Sequence, residues 1–560
     1  MKLNNLRPAH IFFPLIWAMF VIKSLVYIAV TPLWEGFDEL FHFAYIQSLA
    51  ATRSLPVWGE TFIDADIAKS TAYVPLAGLM PQLAHGFEKL SYRDYWQVDE
   101  AERERFRKQL YQLKASSDRL TASSALLYQV QHPPLYYALC IPLYKAIDGR
   151  NIVDKVYALR VFSALLASVC VVAAALKAGE RDSPLSPLLV GLVALWPCLY
   201  VDIARVGNDS LGIAIFSLIS LAMIRYGAKR SVGRAVALGV LLGLGLLTKA
   251  YFLTAIPGIA LFTTVLAFKY KDERKQILFD GCVTLLCAGA VGGWWYLRNY
   301  HLYGSFSGLQ ETMYFPSVGL SDRIRAIPEV SWVLVFKHLF TTFCWVSGWS
   351  FLHLPKPLYL VFAALFVIAT VGLAKTILSK GKQKEELTKR TNAVVAAACL
   401  VIFFAVGVAY HEVNAFATVR VMGGPGGWYF YAIVVPISLL VSLGIWGTKP
   451  KFAHRSFAVI FAATVMLEVY GFSFVLAPYY TGIAVPAADG WGVSFVETAI
   501  ALFSRETLSR LLTNKPALLS SSSLASIAVL YCLAQIAVLL SIALGAASSS
   551  SPPETTSHPD

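Results

Sequence analysis

Apolar runs recur along the whole chain and alternate with shorter polar segments. A run of about 18 or more apolar residues is long enough to cross the hydrocarbon core of a membrane as a helix. The pattern predicts twelve transmembrane helices, and the first is predicted to be a retained anchor because no small-residue cleavage site follows it. The predicted helices cover residues 11–30, 157–176, 185–203, 210–226, 235–248, 250–268, 277–296, 357–374, 392–410, 427–446, 456–477 and 523–545.

Three long polar stretches interrupt the apolar pattern, at residues 31–130, 298–352 and 478–520. The first contains the charged segment Asp99–Lys108, whose composition predicts a solvated helix. The chain is therefore predicted to be an all-α integral membrane protein, a polytopic bundle of about twelve transmembrane helices with long outer loops that carry interfacial helices. Residues 1–478 would form the main transmembrane domain. Residues 479–560 would add an outer loop, the last transmembrane helix and a disordered Ser- and Pro-rich tail.

Clusters of Lys and Arg fall in short connections, and each is separated from the next by two predicted spans. Because such clusters stay on the cytoplasmic side, this spacing predicts that both termini are cytoplasmic and that the three polar stretches lie outside. The clusters lie at residues 2–7, 177–181, 225–234, 269–275, 375–390 and 449–455. Residues 131–147 are apolar but short and contain three prolines, so they are predicted to dip into the outer interface without crossing. Residues 331–352 are predicted to do the same.

Composition supports a membrane protein and narrows its chemistry. Hydrophobic residues make up 57% of the chain and charged residues 14%, whereas soluble domains are nearer ~25% charged. The net charge of +13 is thus attributed to loop cations rather than to nucleic-acid binding. The eight cysteines lie mostly in apolar runs without Cys-x-x-Cys or Cys/His spacing, so buried thiols are predicted and no metal site.

The stretch Trp34–Tyr45 follows the first span directly and carries Glu35, Asp38, Glu39 and His42 among aromatic residues. A carboxylate at a membrane edge is costly to desolvate unless it is paired or used. If a helix begins near Asp38, the side chains of Asp38 and His42 share one face. The alternative is a helix N-terminus whose acids suit the macrodipole.

Other polar motifs also fall at the predicted outer ends of spans, and together they predict one outward-facing site. Their cations would bind an anionic group or, alternatively, extend to lipid headgroups. Asn208-Asp209 would be a helix N-cap, or a site acid and metal ligand. The motifs include His132-Pro-Pro-Leu-Tyr136-Tyr137, Arg205, Asn208-Asp209, Thr248-Lys249, Arg298-Asn299, and His411 with Arg420.

With these motifs, the chain resembles the GT-C superfamily of polyprenyl-phosphate-sugar-dependent glycosyltransferases. It is most similar to bacterial predicted members related to protein mannosyltransferases and aminoarabinose transferases. The resemblance runs from residue 11 to about residue 450. The residues that carry it are Asp38-Glu39 with His42, His132–Tyr137, Arg160–Ser163, Asn208–Ser210, Leu247–Lys249 and Trp295–Asn299.

The resemblance implies an inverting transferase in the cell (inner) membrane, with its active site on the periplasmic or exterior face. It would pass a sugar from a polyprenyl-phosphate donor to a lipid, glycan or protein acceptor. Asp38 would be the catalytic base, with Glu39 and His42 beside it, and Asn208-Asp209 would supply the acid of a second outer loop. Donor binding is expected from Arg298, Asn299, Lys249, Arg420, Arg205, His132, Tyr136 and Tyr137.

Three further expectations follow. Gly423–Phe430 lacks the Arg that relatives often carry there, and Arg420 is the expected substitute. No cofactor is expected to be required, and any divalent cation would bind weakly. Asp38 is expected to line one outer cavity together with Lys249 or Arg298. The rival functions are a transporter or flippase of envelope lipids or glycans, and a non-catalytic scaffold with the same fold.

Overall fold

The computed structural model describes residues 8–178, 185–308, 314–315, 317–378, 382–448, 453–483 and 504–548. The protein is a multi-pass, almost entirely helical membrane protein. Within these residues, ten helices are long and apolar enough to cross a membrane. They are Phe12–Val30, Ile152–Lys177, Asp209–Ala228, Ala250–Lys269, Lys271–Tyr303, Lys356–Leu378, Arg390–Val419, Gly427–Thr448, Arg455–Tyr480 and Ser521–Ile542.

Two of the twelve predicted spans take a different form. The span predicted over 185–203 is wrong as one helix, because the chain forms two, Leu185–Val193 and Pro197–Ile203. Pro197 opens the second helix and Trp196 before it is extended, since proline disfavours helical geometry in the preceding residue. The span predicted over 235–248 is a helix of 15 residues, Val232–Leu246.

The two segments predicted to be interfacial are both short helices, Leu135–Ala146 and Trp332–Cys344. At 1.5 Å per residue, the 12 residues of the first reach about 18 Å, less than the ~30 Å hydrocarbon core. That helix starts immediately after Pro133-Pro134 and continues through Pro142. Its placement at the outer interface stays a prediction.

The first polar stretch folds into short helices around one antiparallel pair of strands, Phe62–Asp64 and Ala122–Leu126, with Phe62 opposite Leu126. The predicted solvated helix is confirmed as Glu100–Gln112, where the Asp99 side chain accepts a hydrogen bond from the Ala101 N–H. The remaining helices outside the spans are Glu39–Thr52, Ala65–Ser70, Tyr92–Gln97, Tyr128–Gln131 (3-10), Leu320–Ala326 and Arg505–Leu511.

Close packing and one buried ion pair hold the spans together. A Cβ on Gly444 would lie 2.0 Å from the Ala369 carbonyl oxygen. Glycine at this position therefore lets the spans Gly427–Thr448 and Lys356–Leu378 touch along their backbones. Lys23 Nζ of the first span lies 2.6 Å from Glu468 Oε1, and both side chains are buried. Part of the predicted second region, residues 484–503 and the Ser/Pro-rich tail at 549–560, lies outside the described residues.

Candidate active site

Asp38 is held in an unusual backbone conformation at the start of the helix Glu39–Thr52. Its φ of 56° lies in the left-handed region, where non-glycine residues are uncommon and cluster at functional sites. The Asp38 side chain makes no capping hydrogen bond to its own helix and instead accepts one from the hydroxyl of Tyr128. The helix begins one residue after Asp38, and the Asp38 carbonyl oxygen accepts the His42 N–H at 3.0 Å. A shared face for the side chains of Asp38 and His42 stays a prediction.

A cavity of about 360 Å³ opens beside Asp38. Lys249 lines the same cavity, which confirms the expectation that Asp38 and one of the two named cations share it. Its apolar lining comes from the spans Ala250–Lys269 and Arg390–Val419. The lining residues are Asp38, Gln129, Gln131, His132, Lys249, Ala250, Tyr251, Leu253, Thr254, Ser307, Gly308, Phe404, Gly407, Val408, Tyr410, His411, Gly424, Pro425 and Tyr429.

Lys249 belongs to a chain of buried ion pairs behind the cavity wall. It occupies the short connection between the helices Val232–Leu246 and Ala250–Thr254, and its Nζ lies 2.6 Å from Asp209 Oδ1. Arg205 binds the other oxygen of Asp209 at 2.5 Å and Asp202 at 2.6 Å. The predicted acid of the second outer loop thus lies next to the cavity, where it holds Lys249 in place.

Arg205 and Asn208 connect this network to neighbouring backbone. The Arg205 guanidinium donates to the Phe37 carbonyl oxygen at 2.6 Å, and a Cβ on Gly36 would lie 2.4 Å from the Arg205 Cβ. Glycine at position 36 therefore lets Arg205 lie against the loop that carries Asp38. Asn208 makes no side-chain cap; its amide donates to the Thr248 carbonyl oxygen at 3.1 Å.

Glu39 faces away from the cavity lining. Its Oε1 accepts from Arg160 Nε at 2.7 Å and its Oε2 from Arg160 Nη2 at 2.6 Å, with both side chains fully buried. The N–H groups of Trp34 and Val206 donate to the same carboxylate. The contacts with Arg160 and Val206 fasten the segment around Asp38 to residues 121 and 167 positions away. Glu39 is therefore not positioned for the catalytic role beside Asp38 that the resemblance implied.

The two histidines of the predicted site differ in their access to the cavity. His132 lines it, and burial lowers the pKa of its imidazole to about 3. His42 is buried behind it, stacks on His132 with ring centroids 5.6 Å apart and bonds the Tyr137 hydroxyl at 2.8 Å. Burial also lowers the pKa of His42. Both imidazoles are therefore neutral near pH 7.

The predicted tyrosines are supporting residues. The Tyr136 hydroxyl bonds Ser163 at 2.7 Å and accepts from the Gly207 N–H at 3.0 Å. Tyr137 stacks on Tyr45 with ring centroids 3.7 Å apart. Neither tyrosine is part of the cavity lining, so donor contact through these two residues is not what the structure supports.

Three of the predicted donor-binding residues lie outside the cavity lining. Arg298 donates to the Pro56 carbonyl oxygen at 3.0 Å, and Asn299 is fully buried behind Gly308. Arg420 lies on the surface, paired with Glu329 at 2.6 Å and with 64% of its side chain exposed. Arg420 therefore does not replace the missing arginine of the Gly423–Phe430 segment inside this cavity.

The surroundings of Asp38 shift the pKa of its carboxyl in opposite directions. Burial raises its pKa above the ordinary value, while the Tyr128 hydrogen bond and the charges of Arg205 and Lys249 lower it. A base with a pKa raised toward the working pH is a better proton acceptor while remaining ionised in part. Asp38 thus combines access to the cavity, restricted geometry and a basicity above that of a solvated aspartate.

Sequence reasoning missed the turn Tyr128–Gln131, which supplies the bond to Asp38 and two lining glutamines. The only available signal was its position directly before the His132-Pro-Pro motif. In the described part of the chain no group of three or more His, Cys, Asp or Glu residues could hold a metal ion. The expectation that any divalent cation binds weakly stays a prediction.

Comparisons with known proteins place the chain among membrane proteins. A family model described as a predicted membrane protein, DUF2142, matches residues 21–437. The chain is similar to the crystal structure of ArnT from Cupriavidus metallidurans bound to undecaprenyl phosphate, at 13% identity and a TM-score of 0.47, over 96% of this chain and 78% of that one. It is also similar to the oligosaccharyltransferase AglB from Archaeoglobus fulgidus in complex with an inhibitory peptide and a dolichol-phosphate. That match has 14% identity and a TM-score of 0.39, over 93% of this chain and 55% of that one. No curated protein matches the chain.

Proposed function

The chain belongs to the DUF2142 family of predicted membrane proteins, and we propose that it is a membrane glycosyltransferase. It would move a sugar from a polyprenyl phosphate to a hydroxyl of a lipid, glycan or protein acceptor at the outer face of the cell membrane. The observation that carries the proposal is the single cavity lined by both Asp38 and Lys249. The sequence resemblance to the GT-C superfamily supports the same reaction class.

The cavity offers separate surfaces for the two halves of such a donor. Leu253, Phe404 and Val408, from two neighbouring spans, supply apolar surface suited to a prenyl chain. Lys249 supplies a cation for the phosphate. Its ammonium carries three N–H donors, and Asp209 accepts one of them, which leaves donors for a ligand.

Asp38 is the proposed general base. It would take the proton of the acceptor hydroxyl as the acceptor oxygen bonds to the anomeric carbon of the sugar. The bond between that carbon and the phosphate oxygen breaks in the same step, and the electron pair leaves on the phosphate. Lys249 would stabilise the negative charge that develops there. Attack opposite the leaving phosphate inverts the configuration of the anomeric carbon.

The neighbouring charged groups act as positioning residues in this proposal. Asp209, bridged to Arg205 and Lys249 by contacts of 2.5 and 2.6 Å, would keep the ammonium at the cavity edge. Glu39 and Arg160 would fasten the loop that presents Asp38. Nothing in this scheme calls for a resident cofactor, and a divalent cation would assist only weakly. We therefore expect activity to survive a chelator in large part.

A binding assay with undecaprenyl phosphate tests the phosphate site directly. The full-length protein in nanodiscs should gain thermal stability from undecaprenyl phosphate and not from undecaprenol, which lacks the phosphate. Lys249→Met should abolish the gain, whereas Arg420→Met should retain it because Arg420 pairs with Glu329 on the surface. Equal responses of the two variants would contradict the assigned phosphate site.

The reaction itself is tested in the cell envelope. Mass spectrometry of envelope glycans and lipids, with and without the protein, should show one sugar-bearing product that depends on it. Complementation with the wild-type gene should restore that product. A transporter would instead leave total product formed in permeabilised membranes unchanged when the protein is removed.

A further inference from the structure

Two aromatic rings flank the ammonium of Lys249. Its Nζ lies 5.4 Å from the centre of the Tyr251 ring and 5.0 Å from the centre of the Tyr429 ring. Both distances are within the ~6 Å over which the face of an aromatic ring attracts a cation. Both tyrosines line the cavity, whereas Asp209 binds the same ammonium from behind the wall. The two rings therefore attract the ammonium toward the cavity, against the pull of the carboxylate.

Tyr251 is close to Lys249 in sequence, and its ring is fixed by its neighbours. A Cβ on Gly212 would collide with the Tyr251 hydroxyl oxygen, so glycine at position 212 makes room for that ring. The ring packs against Phe216 and Phe404 with centroids 5.7 and 5.6 Å away. Among the described residues the hydroxyl has no hydrogen-bond partner. Tyr251 thus contributes the face of its ring to the lysine.

Tyr429 reaches the lysine from a distant part of the chain. It belongs to the 3-10 helix Gly427–Ile433, which begins where the backbone meets the helix Trp332–Cys344. The Gly427 N–H donates to Thr342 Oγ1 at 2.7 Å, and a Cβ on Gly427 would collide with the backbone of that helix. Glycine therefore permits the close contact that fixes where the 3-10 helix starts.

Trp428 connects the same 3-10 helix to the proposed base. Its ring stacks on Phe37 with centroids 4.1 Å apart and 12° between the ring planes, and both side chains are buried. Phe37 directly precedes Asp38 in the chain. Two consecutive residues thus contact the two reacting groups: Trp428 supports the segment that presents Asp38, and Tyr429 faces the Lys249 ammonium.

We propose that the 3-10 helix Gly427–Ile433 sets the spacing between the proposed base and the phosphate-binding cation. Trp428 is the positioning residue for Asp38, and Tyr429 is the positioning residue for Lys249. This inference rests on the proposed function, because it assumes that both groups act on one donor. The two residues have separate tasks, so their loss should affect different steps: phosphate binding for Tyr429, and sugar transfer for Trp428.

The role of Tyr429 is tested by the affinity of the full-length protein in nanodiscs for undecaprenyl phosphate. Tyr429→Leu removes the ring and should lower that affinity about 3- to 10-fold, the usual strength of a cation–ring contact. Tyr429→Phe keeps the ring face and should retain the affinity. Phenylalanine with one, two or three fluorine atoms at position 429 should lower it stepwise, because fluorine withdraws electrons from the ring face. Tyr300→Leu, at a 50% exposed tyrosine, is the control and should change nothing.

The role of Trp428 is tested by the rate of transfer. Trp428→Leu removes the stack on Phe37, and a small displacement of a reacting group can cost on the order of 10²-fold in rate. Native membranes with equal amounts of inserted protein should therefore form the protein-dependent envelope product about 10- to 100-fold more slowly. Trp428→Phe keeps a stacking ring and should restore most of the rate. Trp428→Leu should still bind undecaprenyl phosphate like the wild type. Equal losses of rate and affinity in this variant would indicate a merely structural helix and overturn the inference.

The outcomes also separate this inference from the proposed function. If the wild type binds no undecaprenyl phosphate, the proposed function fails. If the wild type binds it and Lys249→Met does not, but Tyr429→Leu and the fluorinated forms bind like the wild type, the positioning role fails while the function stands. If Tyr429→Leu folds poorly, the fluorinated series still decides, because it keeps a ring of nearly the same size. A loss already complete in Tyr429→Phe would assign the effect to the hydroxyl and overturn the inference.

Discussion

Asp38 and Glu39 are consecutive carboxylates, yet they lie in opposite environments. Asp38 lines the cavity and accepts a hydrogen bond from the Tyr128 hydroxyl, and within the described residues no cation forms an ion pair with it. Glu39 is fully buried, and the guanidinium of Arg160 donates a hydrogen bond to each of its carboxylate oxygens. Acidic residues near a membrane edge therefore do not mark a catalytic site by themselves. Their partners and their access to a cavity separate a reactive group from a structural one.

The largest effect is expected from the reactive side of this comparison. Asp38→Asn removes the proposed base and keeps the size of the side chain. Transfer activity should fall about 10²- to 10⁴-fold, the usual contribution of a general base. The melting temperature and the amount of inserted protein should stay near wild type. Both quantities are measured on the purified protein, and full activity in this variant would remove Asp38 from the mechanism.

Glu39→Gln breaks the structural side of the comparison. It leaves the Arg160 guanidinium buried without its anion, which typically costs about 3–5 kcal/mol of folding free energy. We expect a lower melting temperature and a smaller yield of folded protein. Glu60→Gln, at an exposed glutamate of the same outer region, is the matched control. Wild-type stability combined with lost transfer would instead make Glu39 a catalytic residue.

Glu35 extends the comparison to a carboxylate held by neutral donors. The hydroxyls of Tyr92 and Tyr480 and the N–H and hydroxyl of Ser350 donate to it. Burial raises its pKa from 4.5 to about 7. The folded protein therefore keeps a proton that the unfolded chain loses above pH 4.5. This stabilisation is present at low pH and is lost as the pH rises toward 7.

The expected change between pH 4.5 and 7 is on the order of 3 kcal/mol. The melting temperature should fall over that interval and level off above it. Glu35→Gln, which cannot ionise, should flatten the profile, and thermal unfolding followed at several pH values measures it. A profile that is unchanged in the variant would mean that another group titrates.

Tyr128→Phe should change activity least among these variants, and it tests how the Tyr128 hydrogen bond sets the pKa of Asp38. The Tyr128 hydrogen bond lowers the pKa of Asp38, so its loss should raise that pKa. Since the base must be ionised to act, the acid limb of the rate–pH profile should move to higher pH, by about one unit for one hydrogen bond. Activity on the alkaline plateau should change little. A uniform loss at every pH would instead indicate that Tyr128 contacts the substrate.

Local sequence determined the helices and much of the chemistry of this protein. Apolar runs long enough to cross a membrane predicted ten of the spans correctly. The length and composition of a segment are enough to predict such a span, and both are read directly from consecutive residues. The charged composition of the segment predicted the solvated helix at 100–112. The positions of Asp38 and Lys249 at span ends supported the expectation that both line one cavity. Proline 197 broke one expected span in two.

Only the tertiary structure decided which polar groups meet. The hydrogen bond from Tyr128 to Asp38 joins residues 90 positions apart, and the ion pair of Arg160 with Glu39 joins residues 121 positions apart. Arg420 and Lys249 are both cations that can bind a phosphate, yet Arg420 pairs with Glu329 on the surface and Lys249 lines the cavity. Hydrogen bonds and ion pairs act over a few ångströms and depend on direction. Their partners are therefore set by how helices pack, which no local pattern of residues contains.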